Sequence, residues 1–290
     1  MQILKNLEEN VKLKSSIKIE NLVITPIVLN DFNHEHKIVS LDELFDRQLA
    51  EAKEISDQGI VSRVNIVNKS KQLLFISDGE AIVGAKQNRI SERSVILKEM
   101  SETIIPVYCV EKGRWGYRNS RDFSKSEFSL SPKSRDKKAE YLKHKEAHQI
   151  QSMVWKDVDD LSEKNSSFSQ TSDLGEVLNS RNYDEAFKKF RDMEFNGFIV
   201  CGSGRPFIEI FSDKLNCKKQ FLKSIKTWLS DQNFENKRYS TSKKYLDHFL
   251  QSFWNKDESV GIERAFSSEG NDNGRSIFFN DQLIHAYKYF

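Results

Sequence analysis

Two hydrophobic periods alternate along this chain. Helical spacing is clearest over residues 40–56, SLDELFDRQLAEAKEIS, where Leu44, Phe45, Leu49 and Ala52 recur. Ser40, with Glu43 three residues later, has the form of a capping box, so a helix is predicted there. Period-two or continuous apolar runs predict strands at 21–29, 59–68, 72–77, 80–84, 87–97 and 103–110. The run QLLFIS at 72–77 reads as a strand buried on both faces, and Asp78-Gly79 marks a turn after it. Pro26 favours an edge position or a bulge, because proline cannot donate to a ladder. Residues 1–17 read as a short helix or a polar tail.

Further on, 118–136 is loop-like, rich in Ser and charge. Helical patterns follow at 137–161 and 173–194, the second interrupted near Asn182 and Tyr183. A hairpin is predicted from 195–202 and 206–211 around Ser203-Gly204-Arg205, then helices at 212–229 and 243–254 and strands at 259–267, 276–280 and 282–289. Strands near both ends favour one intertwined α+β domain over two independent ones. The expected fold is an antiparallel β-rich core, a sandwich or partial barrel, with several packed helices. It would occupy 18–290, after a tail at 1–17, with a helical, partly loop-like insertion at 118–194.

Composition narrows the function classes. The 290 residues include 20 Phe and are 11% aromatic, enough for a sizeable core and unlike a disordered chain. A net charge of +2 argues against a nucleic-acid partner from bulk charge. One basic run, Lys133, Arg135, Lys137, Lys138, Lys143 and Lys145, fits either a solvated helix face or an anionic partner such as RNA or DNA. The three cysteines have no paired metal-site spacing and an odd count, which points to a reducing, cytoplasmic setting. The first residues hold no apolar run of signal-peptide length, and no stretch approaches the length of a transmembrane helix, so no membrane association is expected. No metal site and no cofactor is implied.

Candidate chemistry concentrates in residues 78–117. Gly84-Ala85-Lys86-Gln87-Asn88-Arg89 places donors suited to phosphate or carboxylate oxygens directly after a flexible backbone position. Alternation would put Lys86, Asn88 and Ile90 on one strand face and Gln87 and Arg89 on the other. The same residues also fit a hairpin with a solvated polar strand. In Cys109-Val110-Glu111-Lys112-Gly113-Arg114-Trp115-Gly116-Tyr117, Glu111 and Arg114 either pair with each other or hold a polar ligand against Trp115 or Tyr117. Cys109 reads as a buried, inert thiol rather than a nucleophile. In Gly202-Ser203-Gly204-Arg205-Pro206, with Glu209 beyond, no Lys-Ser/Thr follows as in a Walker motif, and Arg205 either pairs with Glu209 or joins a site. His285 reads as a packed or surface side chain.

The combination GEAIVGAKQNRI, IPVYCVEKGRW and GFIVCGSGRPFIEIF resembles the ARG-and-rhodanese-phosphatase-associated protein domain family, a family of unknown function. The resemblance runs from about residue 21 to 289 and is weakest over 118–192. It implies a context of chemistry on ADP-ribose, NAD derivatives or nucleic-acid termini, and convergence of the three clusters. The motif positions that match are Gly84, Lys86, Asn88, Arg89, Glu111, Arg114, Trp115, Arg205 and Glu209.

Taken together, these features predict a nucleotide or ADP-ribose/NAD-derived ligand. Lys86, Asn88, Arg89, Arg114 and Arg205 would bind it and Trp115 would stack on a ring. Glu111 or Glu209 would serve as general base or hold a ribose hydroxyl. The rival expectation is a non-catalytic interaction or structural subunit with a protein partner, for example in a bacterial or phage defence-related complex.

Overall fold

A computed structural model describes residues 1–30, 37–117, 122–202, 204–231 and 239–290. In chain order it contains β1 (Val11–Leu13), β2 (Ile17–Ile19), β3 (Leu22–Leu29), β4 (Ile38–Ser40), α1 (Leu41–Asp46), β5 (Ala50–Lys53), β6 (Arg63–Asn68), β7 (Leu73–Ile76), β8 (Glu80–Gly84), β9 (Arg89–Ser91), β10 (Val95–Leu97), β11 (Ser101–Cys109) and β12 (Phe123–Ser129). A helical stretch follows, α2 (Pro132–Lys143), α3 (Ile150–Lys164), α4 (Leu174–Leu178) and α5 (Asp184–Phe190). The remainder is β13 (Gly197–Cys201), β14 (Phe207–Phe211), α6 (Lys214–Ser230), α7 (Ser242–Leu250), β15 (Trp254–Asp257), β16 (Arg264–Ser268), β17 (Gly274–Phe279) and β18 (Gln282–Tyr289). The fold is α+β, as the sequence pattern predicts. No helix among the described residues is long and apolar enough to cross a membrane.

The first half forms a six-stranded antiparallel sheet in the order β12-β8-β9-β11-β6-β5. A bridge between Lys53 and Asp122 brings its two ends together, so the sheet curls towards a barrel. A three-stranded sheet, β10-β7-β4, stands beside it, with β4 and β7 parallel. β7 lies between two partners and is buried throughout, which is why QLLFIS is apolar without alternation.

The N-terminal strands join those of the second half in a nine-stranded sheet, β1-β3-β13-β14-β18-β17-β16-β15, with β2 also paired to β3. Alternation along β13 sends Phe198 and Val200 to one face and Ile199 to the other. On the first face α6, capped by Asp213, packs Cys217, Phe221, Ile225 and Trp228 against Phe198, Phe207 and Phe211. The Phe198 and Trp228 rings lie 5.0 Å apart between centroids. On the other face α7 buries Leu246, Phe249 and Leu250 against Ile199, Ile208 and Ile210.

Four expectations need correction. The helix at 40–56 stops after Asp46. Gln48 turns left-handed at φ 56°, and Leu49 N–H and Gln48 N–H close onto Leu44 and Phe45 carbonyls, a Schellman ending. The following Ala50 and Ala52 then pair with β6, where strand registry outweighs helical periodicity. Pro26 is not on an edge, since β3 is flanked by β13 on one side and by β1 and β2 on the other. Its carbonyl accepts from Lys14 N–H, so its hydrogen-free nitrogen faces the break between β1 and β2. Residues 1–17 include a short 3-10 helix, Lys5–Leu7, and are anchored by Leu4 and Leu7, buried beside Leu250 and Trp254. Within 118–136, β12 pairs with β8 and α2 begins at Pro132, whereas 118–121 lie outside the described residues. The helix expected to reach 254 ends at Leu250, and Trp254 opens β15.

Candidate ligand site

β8 ends at Gly84, and the chain reverses into β9 through Ala85, Lys86, Gln87 and Asn88. These residues form a turn instead of the strand predicted from 87. Gly84 has φ 116°, and a Cβ there would meet Asp122 O at 2.8 Å. Ala85, buried, is held at φ 42°, a backbone region disfavoured for an L side chain.

Arg114 holds this turn in shape. Its Nε and Nη2 donate to Glu111 Oε1 and Oε2 at 2.8 and 2.6 Å, a side-on fork. Its Nη1 donates to Ala85 O at 2.6 Å and Gly116 O at 2.8 Å. Glu111 also accepts from Asn88 N–H and Thr171 Oγ1–H, at 3.2 and 3.0 Å. Asn88 Nδ2 in turn donates to Asp173 Oδ2 at 3.0 Å. Burial alone would raise Glu111, but the Arg114 fork and the Asn88 N–H reverse that and hold it below the ordinary carboxylate range. Asp173, with burial dominating, is pushed up instead.

Arg89 lies opposite Cys109 in the β9–β11 pairing. Ile90 turns into the cluster with Val154 and Val158 of α3, so alternation sends Arg89 to the other face. The Arg89 guanidinium has no solvent exposure. Nη1 donates to Gln87 O and Gln87 Oε1, at 2.9 and 3.1 Å. Nε and Nη2, the other edge of the guanidinium, have no hydrogen-bond partner among the described residues. Glu54 Oε1 stands 3.7 Å from Nη2, an ion-pair distance beyond hydrogen bonding, and Glu54 Oε2 is likewise buried without a partner. Burial lowers the Arg89 guanidinium from its ordinary value and pushes the Cys109 thiol up to about 11, as befits a non-reactive cysteine.

An aromatic rim covers this pair. Trp115 and Tyr117 are 47% and 38% exposed, the combination that lets a ring be offered to a ligand. Lys86 Nζ lies 5.4 Å from the Trp115 centroid and 5.5 Å from that of Tyr117, and Arg89 Cζ lies 5.4 Å from Trp115. Gly59, in a left-handed turn, closes over the top. A Cβ there would come within 3.0 Å of Glu54 Oε2, 3.2 Å of Lys86 Cδ and 3.3 Å of Trp115 Cζ2.

Lys86, Asn88, Arg89, Glu111, Arg114 and Trp115 are therefore brought together, while Arg205 and Glu209 are placed elsewhere. The family model for the ARG and Rhodanese-Phosphatase-superfamily-associated Protein domain matches residues 10–289. The chain belongs to that family. No curated protein and no solved structure gives a significant match.

In this family member the third sequence cluster separates. Arg205 pairs with Asp136 at 3.3 Å and Asp272 at 3.2 Å, not with Glu209. Ser203 lies outside the described residues. Glu209, fully buried on β14, receives Arg135 Nη2 at 2.7 Å and Nη1 at 3.0 Å. Its Oε1 also faces His285 Nε2 at 2.9 Å, and His285 Nδ1 meets Ser94 Oγ at 2.8 Å. An ionised Glu209 can only accept, so His285 Nε2 carries the hydrogen donated to it, and Ser94 Oγ, which accepts from Asp78 N–H, completes the chain at Nδ1. This Ser-His-Glu chain is sealed from solvent.

The same network takes up two members of the basic run, Arg135 and Lys138. Lys138 Nζ donates to Asp78 Oδ1 at 2.8 Å and also to Glu92 O, while Tyr287 Oη–H donates to Asp78 Oδ2 at 3.0 Å. Burial would raise both Asp78 and Glu209. Lys138 with Arg135 at the first, and Arg135 with His285 at the second, outweigh it and depress both. Arg135 and Lys138 are thus neither a solvated face nor an exposed anion site. Sequence reading missed them, along with Asp78, Ser94 and Glu54. The available signal was their i,i+3 spacing beside Ala139 on one helix face, obscured because α2 buries polar rather than apolar side chains.

Proposed function

We propose that this protein binds a nucleotide or an ADP-ribose/NAD-derived ligand at the turn after β8. One observation carries the reading: the buried Nε–Nη2 edge of Arg89 presents two parallel donors that no described residue accepts from. That edge matches two oxygens of a phosphate or carboxylate, as the equivalent edge of Arg114 matches Glu111. Lys86 adds a second cation, and Trp115 and Tyr117 offer stacking faces for a ring. Admission of the ligand requires the turn around Gly59 to swing away from Glu54, Lys86 and Trp115.

Glu111 supports this reading as a positioning residue. Both its oxygens are taken up by Arg114, and it fixes the turn that presents Lys86 and Arg89. Glu209 is similarly engaged. This saturation favours binding without proton transfer by either carboxylate, which is the feature in common with a non-catalytic interaction subunit.

Thermal-shift measurements with ADP-ribose, NAD, AMP and ATP test the proposal, since a ligand of the native state raises stability by mass action. Trp115→Ala removes a half-exposed ring and should leave the unliganded Tm in place while weakening the ligand by ~5- to 100-fold. No shift with any of these compounds, or an affinity indifferent to both Trp115→Ala and Arg89→Lys, would overturn it.

A further inference from the structure

Resting on that reading, we infer that the Arg89 site selects ligands bearing an anionic group and a free ribose 2′-hydroxyl, and that Glu54 is the residue that reads the hydroxyl. A ribosyl phosphate has this chemistry, and inorganic phosphate or a 2′-deoxy analogue lacks it.

The pairing of unmet needs defines the ligand. Arg89 offers a two-donor edge and so asks for acceptors, whereas Glu54 Oε2 is an acceptor and asks for a donor. Both side chains are at least nine-tenths buried, with Glu54 at 3% exposure. Leaving such groups unmade is costly, so one ligand that answers both gains more than one that answers either. The two side chains lie 3.7 Å apart at their nearest charged atoms.

Charge sharpens the selection. A plain anion on Arg89 sets its negative oxygens against the Glu54 carboxylate without offering it a proton. A ligand hydroxyl donates to Oε2 and relieves that opposition. Glu54 is already fixed for the task, because its Oε1 accepts from Lys86 N–H at 3.3 Å, which aims Oε2 beneath Gly59. Its neighbours there are Lys86 and the edge of Trp115, so a ring stacked on Trp115 would bring its sugar to this carboxylate.

The test is isothermal titration of the full chain with adenosine 3′-monophosphate, its 2′-deoxy counterpart and inorganic phosphate. The wild type is compared with Glu54→Ala, Glu54→Gln and Arg89→Lys. Each variant's fold is checked by circular dichroism. Wild type should prefer the ribonucleotide by about 10- to 100-fold, the worth of one hydrogen bond to a charged group. Glu54→Ala should abolish that preference while binding the deoxynucleotide and phosphate at least as tightly as wild type does. Glu54→Gln, which keeps an acceptor of the same shape, should retain part of the preference. Equal affinity of wild type for ribo and deoxy ligands, or a preference that survives Glu54→Ala, overturns the inference while leaving an anion site at Arg89 in place. Failure of all three probes to bind, or binding indifferent to Arg89→Lys, removes the underlying site and this inference with it.

Discussion

Arg135 and Glu209 meet through two parallel hydrogen bonds, 2.7 and 3.0 Å long, with neither side chain in contact with solvent. The pair joins α2 to the central strand β14, and Arg135 Nε extends it to Asp78 at 3.2 Å in the turn after β7. Three parts of the chain distant in sequence therefore share one buried charge network. Such a network holds only when complete, because each isolated charge would be left desolvated.

Arg135→Met should accordingly destabilise the protein by ~3–5 kcal/mol, since it strands two buried carboxylates. Adding Glu209→Gln should recover part of this loss, because the amide oxygen still accepts from His285 while no longer carrying charge. Urea denaturation of the single and double variants measures both. An Arg135→Met variant as stable as wild type would show the network to be dispensable.

Acid should unfold the protein through the same groups. Asp78 and Glu209 have folded-state pKa values below their unfolded ones. Their contribution is therefore fully present above the unfolded carboxylate range, near pH 4, and is lost as pH falls through the depressed folded values. Asp231 and Asp173 have raised values, dominated by burial, and act in the opposite direction. They cost stability at neutral pH and cease to do so below pH ~4. Denaturation followed from pH 7 to pH 2 should show the loss concentrated below pH 4. Asp231→Asn should stabilise the chain at pH 7, with the gain disappearing in acid.

Neighbouring lysines in the basic run should behave unlike one another. Lys137 is exposed, whereas Lys138 is fully buried against Asp78. Lys137→Met should alter stability by no more than ~0.5 kcal/mol, as surface substitutions do. Lys138→Met should cost ~2–4 kcal/mol by leaving Asp78 with fewer cations around it. Chemical denaturation separates the two, and equal costs would contradict the burial of Lys138.

Most of the secondary structure was legible because apolar periodicity is a local property. β7, β13, β14, α6 and β18 all lie where alternation or helical spacing put them. The Glu111–Arg114 pair, one of the two alternatives that the spacing offered, was legible for the same reason, since its members lie three positions apart. Family membership was legible too, in short motifs whose residues stand side by side.

What the sequence by itself determined, then, was the α+β character, the broad order of elements and the position of the polar cluster at 84–89. The tertiary structure alone decided that the helix begun at Ser40 would give way to β5, because pairing of Ala50 and Ala52 with β6 supplies ladder hydrogen bonds that no local pattern announces. It also decided which charges are buried. Arg135 and Lys138 look like any solvated helix face until the turn after β7, β14 and β18 bring Asp78, Glu209 and Tyr287 against them. Likewise Arg89 and Glu54 are 35 positions apart in sequence, and only the curl of the six-stranded sheet sets the unmet donors of one beside the unmet acceptor of the other. Electrostatic partnership depends on distance and exclusion of water, and both belong to the folded chain.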